Sequence, residues 1–169
     1  MTFHNTDFGL GQSQPKIPDS MALYGALTFL AARCPKHRRY PAALLDRLFL
    51  PAVENRSAKI FPNAAGLPVA AMIWTHMSKG AADRMIAGNH VPEAADWDSG
   101  PDLWILDVMA PFGQGRTIAR HFARNPPNEA FSFARVGPDG NLRKVVTVEA
   151  AGFATRAIAA TFLTDQPDQ

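Results

Sequence analysis

Apolar residues recur at helical spacing early in the chain and gather into strand-length runs further on. Asp19 or Ser20 can cap a helix that runs to about Arg33, where Pro35 stops it. In AALLDRLFLPAVEN, Leu44, Leu45, Leu48 and Phe49 fall at helical spacing, and Pro51 predicts a kink or break. AKIF and LPVAAMIWTHM flank the turn formers PNAAG and predict a β-hairpin. KGAADRMIAG predicts a short helix, and NHVPEAADWDSGPD is a polar loop punctuated by Pro and Gly. LWILDVMA is almost wholly apolar, which predicts a strand buried on both faces. PFGQGR is a glycine loop that opens the helix TIARHFARN. AFSFARV and LRKVVTVEA around GPDGN predict a second hairpin, and GFATRAIAATFL a closing helix. Residues 1–19, rich in Gly, Pro, Asn and Gln, predict a loose tail, and residues 20–169 a single domain. Hairpins and helices mixed around one buried strand give an α+β class, with a mostly antiparallel sheet covered by helices.

Composition narrows the function classes. With 47% hydrophobic and 19% charged residues the chain is globular, and its 169 residues are enough for one core. A formal net charge of +2 is too small to argue for nucleic acid, and aromatics are not interleaved with the basic residues. The single cysteine, Cys34, cannot form an intramolecular disulfide, and the first residues lack a basic region followed by an apolar one. The longest apolar run, Met21 to Ala32, is interrupted by Tyr24, Gly25 and Thr28 and falls short of the roughly 20 residues that span a bilayer. These features predict a cytoplasmic protein with no membrane span.

Two segments carry candidate chemistry. CPKHRRYP places His37 among cations, with Arg33, Lys36, Arg38, Arg39 and Arg47 close together in sequence. Cationic neighbours oppose protonation, so the imidazole is expected neutral and able to accept a proton. The same cluster also reads as a solvated basic face with a bystander histidine. Cys34 and His37 form a Cys–His pair or, alternatively, Cys34 is a small buried residue. In LWILDVMAPFGQGR, a strand feeds a glycine loop and then a helix start. Gly113, Gly115 and Arg116 make either an anion or phosphate cradle or a plain tight turn. Asp107 lies inside the apolar run, where a carboxylate needs a partner; it makes a structural ion pair or serves a site. His4, His76, His90 and His121 are weaker candidates, and no His/Cys spacing matches a zinc site.

PKHRRYPAALLDRLFLPAVEN, LPVAAMIWTHMS and DWDSGPDLWILDVMAPFG, in that order, resemble the signature blocks of the RTX toxin-activating lysine acyltransferases, the haemolysin-activating family. The resemblance runs from about Gly25 to Arg143. It implies a variant of the GNAT acyltransferase fold. It implies transfer of a fatty acyl chain from acyl carrier protein to the ε-amino group of internal lysines in an RTX-type protoxin. It implies His37 as general base assisted by Asp107, and a homodimer. The co-substrate would be the phosphopantetheine thioester of acyl carrier protein, with no cofactor bound. Gly113, Gly115 and Arg116 would hold its phosphate, and Arg33, Lys36, Arg38, Arg39 and Arg47 would dock the acidic carrier. Met72, Trp74, Trp104 and Phe112 are candidate walls for the chain or plain core. The family commonly carries Ser just before the proline of the first block, where this chain has Cys34. Two other readings stand beside the transferase: a non-catalytic module that binds acyl carrier protein, and a thioesterase-like enzyme or one that forms an acyl-Cys34 intermediate.

Overall fold

A computed structural model describes residues 19–124, 129–137 and 141–149. Its elements run α1 (Asp19–Ala31), α2 (Ala42–Glu54), β1 (Ala58–Pro62), β2 (Pro68–Met77), α3 (Lys79–Gly88), β3 (Asp102–Met109), α4 (Gly115–Arg124), β4 (Phe131–Val136) and β5 (Leu142–Val148). One-turn helices at His37–Arg39 and Ala94–Asp96 interrupt the loops. The expected α+β class holds. The five strands form one sheet in the order β1-β2-β3-β4-β5. Neighbours are antiparallel except β3 and β4, which run parallel, with α4 as the crossover between them. The expected N-terminal tail and closing helix lie outside the described residues, as does the tip of the second hairpin.

Local chemistry accounts for most boundaries. Ser78 caps α3 by accepting from the Ala81 N–H at 3.3 Å, and Asn89 closes it in the left-handed conformation at φ 47°. The sequence predicts a kink or break at Pro51, but α2 runs on unbroken to Glu54. Pro51 lacks an N–H, yet its carbonyl accepts from both the Asn55 N–H (2.9 Å) and the Asn55 side-chain amide (2.8 Å). The ring itself is buried, so packing holds a turn that propensity disfavours. Gly100 meets the start of the Ser78 turn so closely that a Cβ there would lie 2.4 Å from the Ser78 backbone. That contact pins the long loop before β3 to the end of β2.

The sheet is covered on both faces. On one, Leu27, Leu30 and Ala31 of α1 and Leu48, Phe49, Ala52 and Val53 of α2 pack on Ala71, Ile73 and Met109. On the other, Ile118 and Ala119 of α4 pack on Ala70, Met72, Leu103, Ile105, Phe131 and Phe133. Each large side chain fully buried in this way contributes about 1.5–3 kcal/mol. Between the two faces β3 contains an irregularity that positions the site. Ile73 pairs with Asp107 and Trp74 with Ile105, so Leu106 has no partner on β2. This bulge breaks the alternation of β3. Leu103, Ile105 and Val108 serve the α4 face, while Trp104, Leu106 and Met109 pack on the opposite side. Strict alternation from Leu103 and Ile105 would send residue 107 under α4; the extra residue turns it instead towards α1 and α2.

Candidate active site

The link between α1 and α2 carries His37. The Cys34 N–H continues the last turn of α1 onto Leu30 and Ala31 carbonyls (3.0 and 3.1 Å), and Arg38 N–H donates to the Cys34 carbonyl (3.0 Å). The chain is thereby wound into a compact turn, and Pro41 precedes the next helix. The turn drives His37 into the protein, where it is 3% exposed, while Arg33, Lys36, Arg38 and Arg39 stay on the surface. There the imidazole meets the carboxylate that the bulge has turned. His37 Nε2–H donates to Asp107 Oδ2 at 2.5 Å, and the other carboxylate oxygen accepts the Val108 N–H at 3.0 Å. Tyr40 stands edge-on to the His37 ring, with centroids 5.6 Å apart and planes at 71°. The second ring nitrogen, Nδ1, is buried and has no hydrogen-bond partner.

The charge state of His37 corrects the reading from sequence. Burial does pull its pKa down, but the Asp107 charge and hydrogen bond, helped by Cys34, outweigh burial and push it up to about 10. The neighbouring cations therefore do not decide its protonation: a carboxylate in direct contact does. At neutral pH the imidazole is an imidazolium. Burial alone would raise Asp107; the His37 charge and hydrogen bond, then Lys36 and the Val108 N–H, hold it below its usual value. Cys34 responds too. Burial raises its thiol, but His37 and the N–H groups of His37 and Lys36 together bring it below its ordinary value. The thiol interacts with the His37 side chain, whose proton it feels directly.

The remaining predicted residues divide. The glycine loop follows β3 directly, a few residues beyond Asp107. Gly113 adopts φ 83°, a left-handed conformation that suits glycine, and Gly115 is the first residue of α4. Arg116 is exposed. Arg33 lies with its guanidinium carbon 3.6 Å from the Phe29 ring centroid, and Arg47 is ion-paired with Glu93 at 2.5 Å. Met72 and Trp104 are core residues, 9% and 6% exposed, whereas Phe112 is 48% exposed. His76 contacts Glu129 at 3.1 Å, His90 its neighbouring carbonyl at Val91, and His121 the Lys59 amine at 3.1 Å; none reaches the His37 pair. His4 lies outside the described residues. Sequence reasoning missed Tyr40 and Lys36 as neighbours of the pair. The signal for Tyr40 was its spacing: residues three apart eclipse each other on a one-turn helix of this kind.

Comparison with known proteins places this arrangement among relatives. Residues 17–149 match the model of the HlyC family, described as the RTX toxin acyltransferase family. The RTX-I toxin-activating lysine-acyltransferase ApxIC of Actinobacillus pleuropneumoniae is 32% identical over 72% of this chain and 70% of its own length. The protein-lysine myristoyltransferase HlyC of Escherichia coli is 28% identical over 74% of this chain and 73% of its own. Among solved structures, the GNAT-like decarboxylase GphF, in complex with isobutyryl-CoA, is 26% identical. It covers 69% of this chain and 64% of that one at a TM-score of 0.42, a likeness too distant to fix a ligand.

Proposed function

Because the chain belongs to the RTX toxin acyltransferase family, we propose that it moves a fatty acyl chain from acyl carrier protein to the ε-amino group of internal lysines in an RTX-type protoxin, with His37 and Asp107 as the reacting pair. The observation that carries this reading is the 2.5 Å contact between two buried groups that the fold brings together across 70 residues. A lysine ammonium, with a pKa near 10.4, is not a nucleophile; a base must take a proton as the amine attacks the thioester carbonyl. Asp107 raises His37 to about 10, so at neutral pH only the small unprotonated fraction of the imidazole can take that proton, and it does so as a strong base. The carboxylate also stabilises the imidazolium that results.

The other assigned residues serve the donor. The phosphopantetheine phosphate would sit at the turn of Gly113, Gly115 and Arg116, where backbone N–H groups begin a helix. The same N–H groups would stabilise the tetrahedral oxyanion. Arg33, Lys36, Arg38 and Arg39 are exposed around the turn that buries His37 and form the docking surface for an acidic carrier. Arg47 contributes less, because Glu93 already engages it. Transfer would take place in the cytoplasm, where acyl carrier protein and protoxin meet; no described helix is long and apolar enough to cross a membrane.

The test is acyl transfer itself. Acyl carrier protein carrying a fatty chain, this protein and a neighbouring RTX-type acceptor should yield acyl-lysine by mass spectrometry. His37→Gln and Asp107→Asn should each reduce the rate by about 10²–10⁴-fold while still melting cooperatively. Full activity in either folded variant removes the role given to that residue.

A further inference from the structure

Two features of the site take no part in direct transfer to the lysine. His37 Nδ1 is buried with no partner, although burying such a group unpaired is costly. Three residues back on the same turn is Cys34, the one cysteine of the chain, partly open to solvent, whose thiol interacts with the His37 side chain. Nε2 is committed to Asp107, so Nδ1 is the nitrogen left to exchange a proton with whatever reacts at the thiol. Carboxylate, imidazole and thiol thus form a chain in which each member orients or charges the next.

We propose that Cys34 is the first acceptor of the acyl chain, taking it from the donor thioester and passing it to the lysine, with His37 moving the proton in both halves. This rests on reading the site as acyl-transferring. In the first half the Cys34 thiolate adds to the thioester carbonyl and a new C–S bond forms. The tetrahedral adduct collapses, the C–S bond to phosphopantetheine breaks, and the departing sulfur takes the proton from His37 Nδ1. The enzyme now holds an acyl-thioester on Cys34 and a neutral His37. In the second half a lysine amine attacks that thioester and gives its proton to His37, and the C–N bond forms as the C–S bond to Cys34 breaks. Thiolate and imidazolium are restored, and no oxidant or further reactant is needed.

This order of steps fits the charge His37 carries at rest. An imidazolium is a poor base for direct attack by lysine, yet it is the required starting state when a leaving thiolate must first be protonated. His37 and the backbone N–H groups of Lys36 and His37 favour the thiolate form of Cys34. Asp107 keeps the proton on the imidazole until the donor arrives.

An N-acetylcysteamine thioester of a fatty acid tests the proposal without relying on carrier docking. Mixed with the wild-type protein and no acceptor, it should leave one acyl group on Cys34, found by intact-mass analysis and peptide mapping and removable by hydroxylamine. Cys34→Ala should take up none, and His37→Gln should acylate at least tenfold more slowly. Adding an Nα-acetyl-lysine amide should discharge the adduct to the N-acyl-lysine no more slowly than steady-state turnover. Absence of the adduct, or an adduct that persists in the presence of the amine, overturns the relay. So does wild-type transfer by a Cys34→Ala or Cys34→Ser protein that melts like the wild type. In that last case loss of transfer in His37→Gln leaves the acyltransferase reading standing. Full transfer in His37→Gln would instead overturn the proposed role of the pair.

Discussion

His37 Nε2 and Asp107 Oδ2 stand 2.5 Å apart, although one belongs to a surface turn and the other to the middle strand of the sheet. The contact makes two costly burials compatible, since neither charge would be tolerated alone. It also sets the protonation of everything around it.

The first prediction concerns that proton. Nitrogen NMR of the imidazole should report both ring nitrogens of His37 protonated at pH 8, with a titration midpoint near 10. Asp107→Asn removes the group that raises His37, so the midpoint should fall by several units, towards or below the ordinary 6.5, with burial then dominant. An unchanged midpoint would show that some other group holds the proton.

A second follows for stability. His37 is raised in the folded state, so its contribution is full below the unfolded value of 6.5 and is lost as pH climbs towards about 10. Asp107 is lowered, so its contribution is present above the unfolded value of 3.8 and is lost as pH falls through its folded value. The pair therefore stabilises most between about pH 4 and 6.5. Asp107→Asn should cost about 3–5 kcal/mol in that window and clearly less at pH 10, read from paired thermal melts. A penalty that grows with alkalinity would contradict the assignment.

Tyr40 supplies a third. Its edge-on contact fixes the ring plane of His37. Tyr40→Ala should lower acyl transfer by about two- to tenfold, in line with roughly 0.5–1.5 kcal/mol for such a ring pair, and Tyr40→Phe should restore it. If Phe fails to rescue, the hydroxyl and not the ring is the working part.

The basic surface gives a fourth. Arg38→Glu with Arg39→Glu should raise KM for acyl carrier protein at least tenfold at low salt while leaving kcat and the KM for an N-acetylcysteamine thioester near wild type. The difference from wild type should shrink at high ionic strength, where screening reaches about 3 Å at 1 M. Equal loss with the small thioester would mean that the substitutions disturb the site and not the docking.

Much of the architecture could be read from local pattern. The hairpin of β1 and β2 is announced by its turn formers and the buried strand β3 by a near-continuous apolar run, and the short helix α3 was expected where it lies. Pro51 does not break α2, because helix propensity is a local quantity and the burial that sustains the helix is not. His37 and Asp107 were visible as candidates, and the block resemblance paired them. Their charge state was not legible, because the cations near His37 are neighbours in sequence while the carboxylate that governs it comes from another element. The unpaired Leu106 was equally hidden, since LWILDVMA is apolar enough to suit either alternation.

That one unpaired residue makes the chemistry more fragile than the fold. Were β3 to pair with β2 without that bulge, every helix, every strand and both reactive side chains would remain, yet position 107 would fall into step with Leu103 and Ile105 and its carboxylate would turn away beneath α4. The histidine and the aspartate that mark an active protein could thus both be present and never meet. The pairing between β2 and β3 is therefore as informative as the two residues themselves.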